Sequence, residues 1–325
     1  MAEWLKAPAW KACILLKVSR VRIPFSPPNN FFMTLGKKIK FFKIYYLNFL
    51  KKNSFLFYKL SILFSGIFKF IKIKFQKKTL FKYSINLDKI NNYEYKVTSQ
   101  NNEDGIIDHI LSKICLNQIN FVEVGFDYYE NNSLNLFKKT NQGLLIDASF
   151  EKCFVLKNII SIFYNKKKIS ILNSLVFKEN INRLIANNFD INKDEIDFLS
   201  IDVDGVDYYL FEELNFKPKL ICIEYNHWFG ANESVAIPYD PNFQWSRDYY
   251  SGASLLAITR LAFKKNYHLV AIDSSATNAF FIRDDLKNKF TILDPITNFK
   301  KPIKYSDEDY IVAKKFLASK VLLKI

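Results

Sequence analysis

Glycine is scarce in this chain, 8 residues in 325, and cysteine scarcer, at 4. The turn after the most promising strand, Gly125-Phe-Asp-Tyr-Tyr129, has one glycine, where a dinucleotide pyrophosphate needs a Gly-rich loop. That points away from NAD and toward a ligand without a pyrophosphate. The cysteines, at 13, 115, 153 and 222, form no C-x-x-C pair and no metal-ligand spacing. Cys115, Cys153 and Cys222 lie in apolar segments and are expected to be buried free thiols, which fits a reducing, cytoplasmic compartment. Acids are nearly missing from residues 1–87, which hold 18 Lys and Arg against a single Glu3. Residues 88–325 hold 29 basic and 31 acidic groups, so the net charge of +15 belongs to the N-terminal arm. With no RNA-recognition signature and no helix-turn-helix pattern, no nucleic-acid partner is expected. Within residues 33–87 the longest uncharged run, Leu60 to Phe68, falls far below the ~20 residues that span a bilayer.

Residues 1–32 differ in composition from the rest of the chain: they hold two of the four Trp, two of the six Arg and four of the nine Pro. Read back through the genetic code, Met1 to Lys6 and Arg20 to Pro24 match arms of a serine-type transfer-RNA gene. The expectation is a leader translated from such a gene, with the true start at Met33, the only other methionine. The alternative, a targeting peptide, has only the short apolar core Ala12 to Leu16. Mapping the transcript start decides between them.

Residues 33–87 contain 13 Lys and no acid. Ser54, Tyr58, Ser61, Ser65, Lys69, Lys72 and Gln76 recur at threes and fours, which predicts a basic amphipathic helical extension. Two roles fit: an extra helical layer with solvated lysines, or a peripheral anchor on an anionic membrane surface. The absence of acid favours the anchor, at the inner face of the membrane of a cytoplasmic protein.

From residue 88 to 290 the pattern alternates. Ser99 is a potential cap for a helix over 106–114. Strands are expected over 120–125, 143–147, 168–173, 198–203, 219–224, 268–272 and 278–283, with helices through Phe137 and over 150–164, 208–214 and 254–266. Such alternation predicts an α/β fold with a doubly wound, mostly parallel sheet, the last two strands forming an antiparallel pair at its edge. Ser306 opens a helix in a C-terminal helical tail, 291–325.

The chain is organised around Ile196 to Tyr209. A strand-length apolar run breaks at Asp204-Gly205, and Asp202, Asp204 and Asp207 gather where open α/β sheets place ligands. Glu123-Val-Gly125 closes an earlier strand. Asp147 ends the next, where a carboxylate can hold a ribose diol.

The order S-Q-x-x-E-D-G, F-V-E-V-G, G-L-L-I-D, D-F-L-S-I-D-V-D-G-x-D-Y, I-E-Y-N, P-Y-D-P, G-A-S-L-x-A and N-A-F-F-I-R resembles the FkbM-like methyltransferases, which depend on S-adenosylmethionine (SAM). The resemblance covers roughly residues 98–285 and implies a Rossmann-like, class I methyltransferase domain. It implies that Glu123 and Gly125 form the first SAM motif, that Asp147 holds the ribose, and that Gln100 and Asp104 close the cofactor site. Asp202, Asp204 and Asp207 match the acidic turn beside the methyl-transfer centre, with Asp202 on the cofactor side and Asp204 and Asp207 catalytic. Two departures stand out: Gly125-Phe-Asp replaces the usual Gly-x-Gly, and Asp207 stands where many members have Glu.

His227 is a candidate general base, an imidazole being suited to deprotonating a hydroxyl; the alternative is a hydrogen-bonded loop residue. Glu224 and Asn226 are expected on the acceptor side, with Trp228 and Tyr239 in a loop over 228–251 that resembles a lid. The resulting expectation is O-methylation of a glycan, lipid-linked sugar or small metabolite. The competing readings are a glycosyltransferase binding a divalent metal and a nucleotide sugar through Asp202 and Asp204, metal-assisted methyl transfer at Asp202, Asp204 and Asp207, and a non-catalytic scaffold.

Overall fold

Alternate residues of each central strand enter opposite cores, and this period of two sets the architecture. In β1 (Ile119–Val124), Val122 and Val124 face one core while Ile119 and Phe121 face the other. The same split separates Leu199 from Phe198 in β4 (Phe198–Ile201) and Ile221 from Leu220 in β5 (Leu220–Glu224). Strands buried on both faces read as continuous apolar runs, as these do. In this computed structural model residues 47–48, 50–52, 54–74, 79–80, 90–164, 168–189 and 196–325 are described. The expected leader, Cys13 and much of the 33–87 arm lie outside the described residues.

With β2 (Thr140–Asp147), β3 (Ile169–Asn173), β6 (Tyr267–Ile272) and β7 (Asn278–Arg283), the strands form a seven-stranded sheet in the order β3-β2-β1-β4-β5-β7-β6. Strands β3 to β5 pair in parallel, and β7 runs antiparallel to both β5 and β6. The expected antiparallel edge pair is therefore present. The expected Rossmann-like, doubly wound and mostly parallel sheet is thus present.

The chain divides into two units, Met1–Tyr58 and Lys59–Ile325. In the second, one face of the sheet packs residues of α4 (Ile181–Asn188), α5 (Asp207–Glu213) and α6 (Leu255–Lys264). The other packs α2 (Glu103–Lys113), α3 (Phe150–Phe163) and part of α1 (Phe55–Lys74). Helix α7 (Asp307–Leu317) opens on a Ser306–Asp309 capping box, and its Leu317 packs with Phe229, Val235 and Ile237. Leu323–Lys324 then pairs antiparallel with Val235–Ala236, so residues 291–325 belong to the same compact unit.

Three expectations change. The helix through Phe137 shrinks to one 3₁₀ turn, Leu134–Leu136. Its leading amides are captured by side chains: Asn132 and Ser133 N–H donate to Glu123, and Leu134 N–H to Asn131. Cys115 is exposed rather than buried; it follows the C-cap of α2 with φ +62°, a helix-ending conformation. In α1, Tyr58 is buried while Phe64 and Phe68 are exposed, so the polar spacing at 54, 58, 61 and 65 does not mark the outward face.

Candidate active site

The carboxyl ends of β1, β2 and β4 converge. Gly125 turns out of β1 with φ +78°, and a Cβ there would lie 1.7 Å from the carbonyl oxygen of Asp202. Only glycine permits that approach. Its N–H donates to the Ile146 carbonyl at 2.9 Å, and the Asp202 N–H to Val124 at 2.9 Å. Beside it the buried Asp147 carboxylate accepts from Phe126 N–H at 3.1 Å on Oδ2 and from Ser149 N–H at 2.7 Å on Oδ1. Lys152 Nζ, one turn into α3, is 3.3 Å from Oδ2. A carboxylate has about four acceptor positions, so each oxygen keeps room for a further donor once Lys152 moves aside. That pair of free acceptor positions fits a ribose diol, whose hydroxyls would donate to it. Lys152 was missed in the sequence; its position in the first turn after a strand-ending acid was the available signal.

The remaining sequence-predicted cofactor residues hold backbone. Glu123 accepts from Asn132 N–H at 2.8 Å, Ser133 N–H at 3.1 Å and the Ser133 hydroxyl. Burial pushes it up to about 7, against the pull of those donors. Asp104 accepts from the N–H groups of Val97, Thr98 and Ser99 at 2.7–2.8 Å and from both hydroxyls. Gln100 offers its carbonyl to Lys96 at 2.5 Å. Thr98 accepts from Asn131 N–H at 3.0 Å, so the stretch before α2 is tied to the loop after β1. Glu103, also missed, joins Asn101 at 2.8 Å to Asn278 of β7 at 3.0 Å; its place beside Asp104 in S-Q-x-x-E-D-G was visible.

The three aspartates of the acidic turn separate by role. Asp207 is buried at the start of α5 and accepts from Val203 N–H at 2.8 Å and Gly205 N–H at 2.9 Å. Its carboxylate shapes the turn from within, and burial pushes it up to about 6 against those amides. Asp204 is exposed, with φ +59°. Its pKa is raised by burial of part of the group, while Lys152 and then Arg247 pull it down and Asp147 pushes it up. Asp202, Asp204 and Glu224 each offer a carboxylate oxygen within 4.8 Å of the others. Burial, then the Asp207 and Asp204 charges, push Asp202 up to about 8. Burial and Asp202 push Glu224 well above the carboxylate range, and Glu224 is hydrogen-bonded to Asp202. Burial and mutual repulsion therefore hold both carboxyls of the pair toward their protonated forms, Glu224 most strongly. In this structure the oxygens spaced for a hard divalent cation come from Asp202, Asp204 and Glu224; Asp207 is not among them.

Residues expected on the acceptor side divide likewise. Asn226 accepts from Trp228 N–H at 2.9 Å and donates to the Tyr249 and Ser251 carbonyls at 2.9 Å each, clasping both ends of the loop. Tyr209 OH donates to Ile237 at 2.6 Å, and the Phe243 ring leaves no room for a Cβ at Gly205. The lid segment is thus anchored on the acidic turn. Tyr239 OH donates to Glu179 at 2.7 Å, its ring lying 5.1 Å from that of Tyr209 and under Lys178 at 4.4 Å. His227 lies among Trp228, Tyr305 and Tyr310, with Nδ1 2.9 Å from the Tyr310 hydroxyl. Burial, then Lys304, lowers it to about 4. A neutral, weakly basic imidazole paired with Tyr310 fits the loop-residue alternative better than the general base. Trp228 packs against Tyr249, Tyr305 and Tyr310 in that cluster.

No family model matches the chain, and no curated protein matches it in sequence. Among solved structures it is similar to an O-methyltransferase from Bacillus cereus in complex with S-adenosylhomocysteine, at 13% identity and TM-score 0.38, covering 68% of this chain and 89% of that one. It is also similar to magnesium protoporphyrin IX methyltransferase from Synechocystis, at 10% identity and TM-score 0.38, covering 67% and 94%. A SAM-dependent methyltransferase from Clostridium acetobutylicum shares 11% identity at TM-score 0.36, covering 56% and 90%. Likeness at this level assigns no role to any residue of this chain.

Proposed function

We propose that this chain is a SAM-dependent methyltransferase acting on a hydroxyl of a glycan, lipid-linked sugar or small metabolite. One observation carries the reading: the strand order sets the Gly125 turn, the diol-competent Asp147 and the Asp202–Asp204 turn side by side at one sheet edge. Open α/β sheets bind ligands there. Asp147 would hold the ribose, with Phe126 and Ser149 N–H fixing its carboxylate. Bound SAM supplies an electrophilic methyl group. The protein's share is placement and proton handling. Glu224, held toward its protonated form by burial and by Asp202, does not serve as base. Asp204 is the exposed carboxylate of the trio and the candidate acceptor of the hydroxyl proton. Asp207 and His227 act as positioning residues, one shaping the acidic turn and the other packing the root of the lid.

A second reading draws on the Asp202, Asp204 and Glu224 oxygens lying within 4.8 Å of one another. Such a trio suits a divalent metal and hence a nucleotide-sugar-dependent glycosyltransferase. Calorimetry with SAM and with a nucleotide sugar, each with and without Mg²⁺, tests both. Micromolar SAM binding is expected. Nucleotide-sugar binding that needs Mg²⁺, without SAM binding, reverses the assignment, and binding of neither leaves a methyltransferase-fold scaffold.

A further inference from the structure

Helix α1 has two apolar faces, and among the described residues one packs into the core while the other is exposed. Ile62, Ile67 and Phe70 pack into the core that α3 shares. Gly66 is pressed so close that a Cβ would lie 2.3 Å from Val155 Cγ1, and the Phe70 ring is 5.3 Å from that of Phe163. Lys59 lies over the Phe150 and Phe154 rings at 5.6 and 5.5 Å, so α1 runs alongside α3 in the same direction. On the far side Leu60, Phe64, Phe68 and Ile71 recur at four, four and three. At 3.6 residues per turn they share an arc of roughly 80°. They are 39, 70, 66 and 37% exposed. Single exposed apolar residues are ordinary; a row running three turns, with two phenylalanines about two-thirds bare, marks a docking surface.

Charge selects the occupant. Residues 33–87 carry 13 Lys and no acid. A second copy on this face would bring two such arms together with no carboxylate in either to offset them, and like charge across an interface is costly. An anionic bilayer offers what the segment asks for: phenylalanines enter the acyl boundary while lysines meet headgroups. Among the described residues no helix is long and apolar enough to cross a membrane, and the stripe suits a helix lying in the interface plane. We propose that the Leu60–Phe64–Phe68–Ile71 face of α1 docks the protein on anionic lipid bilayers. Lys69, one residue from Phe68, lies 4.2 Å from the Tyr129 ring centroid. The docking face is therefore one helix away from the loop that follows β1.

Flotation of the full-length chain with phosphatidylcholine vesicles, with and without phosphatidylserine, tests this without reference to methyl transfer. The wild type should float with the phosphatidylserine vesicles and release at high salt. Phe64→Ser/Phe68→Ser should lower the bound fraction about tenfold or more, since two phenylalanines leave the contact, with an unchanged thermal melt because both are exposed. Failure of the wild type to float overturns the proposal, as does equal flotation of the double variant. A wild type that sediments as a dimer, becomes monomeric in the variant and ignores vesicles makes the stripe a self-association face instead.

Discussion

The Cα of Gly125 and the carbonyl of Asp202 are in contact across two strands: a Cβ at position 125 would sit 1.7 Å from that oxygen. The turn after β1 and the acidic turn after β4 are therefore one structural object. Gly230 shares the φ of +78° but has nothing within 4 Å of its virtual Cβ. Gly230→Ala should cost only backbone strain, about 1–3 kcal/mol, whereas Gly125→Ala adds a backbone clash and should cost clearly more. Urea unfolding of the two variants compares them; equal losses would mean the turns are not wedged together.

Asp147 and Lys152 give the ligand test. Asp147→Ala should weaken SAM binding by roughly 1.5–3 kcal/mol, the range for hydrogen bonds to a charged group. Calorimetry on the folded variant measures it, and unchanged affinity removes Asp147 from the cofactor site.

Asp204 and Asp207 should part company on substitution. Asn tolerates the positive φ of position 204, so Asp204→Asn should keep the fold and SAM affinity while turnover collapses. Asp207→Ala strands the Val203 and Gly205 amides and should lower stability by about 1–3 kcal/mol, taking activity with it. Activity of Asp204→Asn within a few-fold of wild type would make the acidic turn purely structural.

His227 is expected to be dispensable for the chemical step. His227→Gln should hold kcat within about threefold and leave the pH–rate profile in place, because a group lowered to about 4 does not titrate near neutrality. A lost acidic limb in that profile would return His227 to catalysis.

Glu123 predicts a pH dependence of stability. Its folded pKa, about 7, lies above the ordinary carboxylate value of about 4.5. Between those values the folded state binds more protons than the unfolded state, so stability declines as pH rises. The contribution is fully present below pH ~4.5 and is lost as pH rises through ~7. Glu123→Gln removes this titration and should flatten the stability slope across that window, whatever its offset. Chemical denaturation at several pH values reads the slope, and an unchanged slope assigns the proton elsewhere.

Much of the fold is legible in the chain because the signals are local. The apolar runs of β1, β2, β4 and β5 announce buried parallel strands, the acids closing β2 and following β4 mark the ligand edge, and Ser306 with Asp309 writes its own helix start. What tertiary structure alone decided is which side chains meet. Register pairs Ile201 with Ile223, and so brings Glu224 to Asp202, 22 positions away, where burial raises the pKa of both. His227 is taken up by Tyr310, 83 positions later, on a helix that nothing in the local pattern assigns to the lid. The polar spacing along α1 indicated one face, yet packing on α3 covered another and left Phe64 and Phe68 bare. Hydrophobic period is a property of neighbouring residues, so it survives in the sequence. A carboxylate's proton, a histidine's partner and the face a helix buries depend on atoms that only folding brings near.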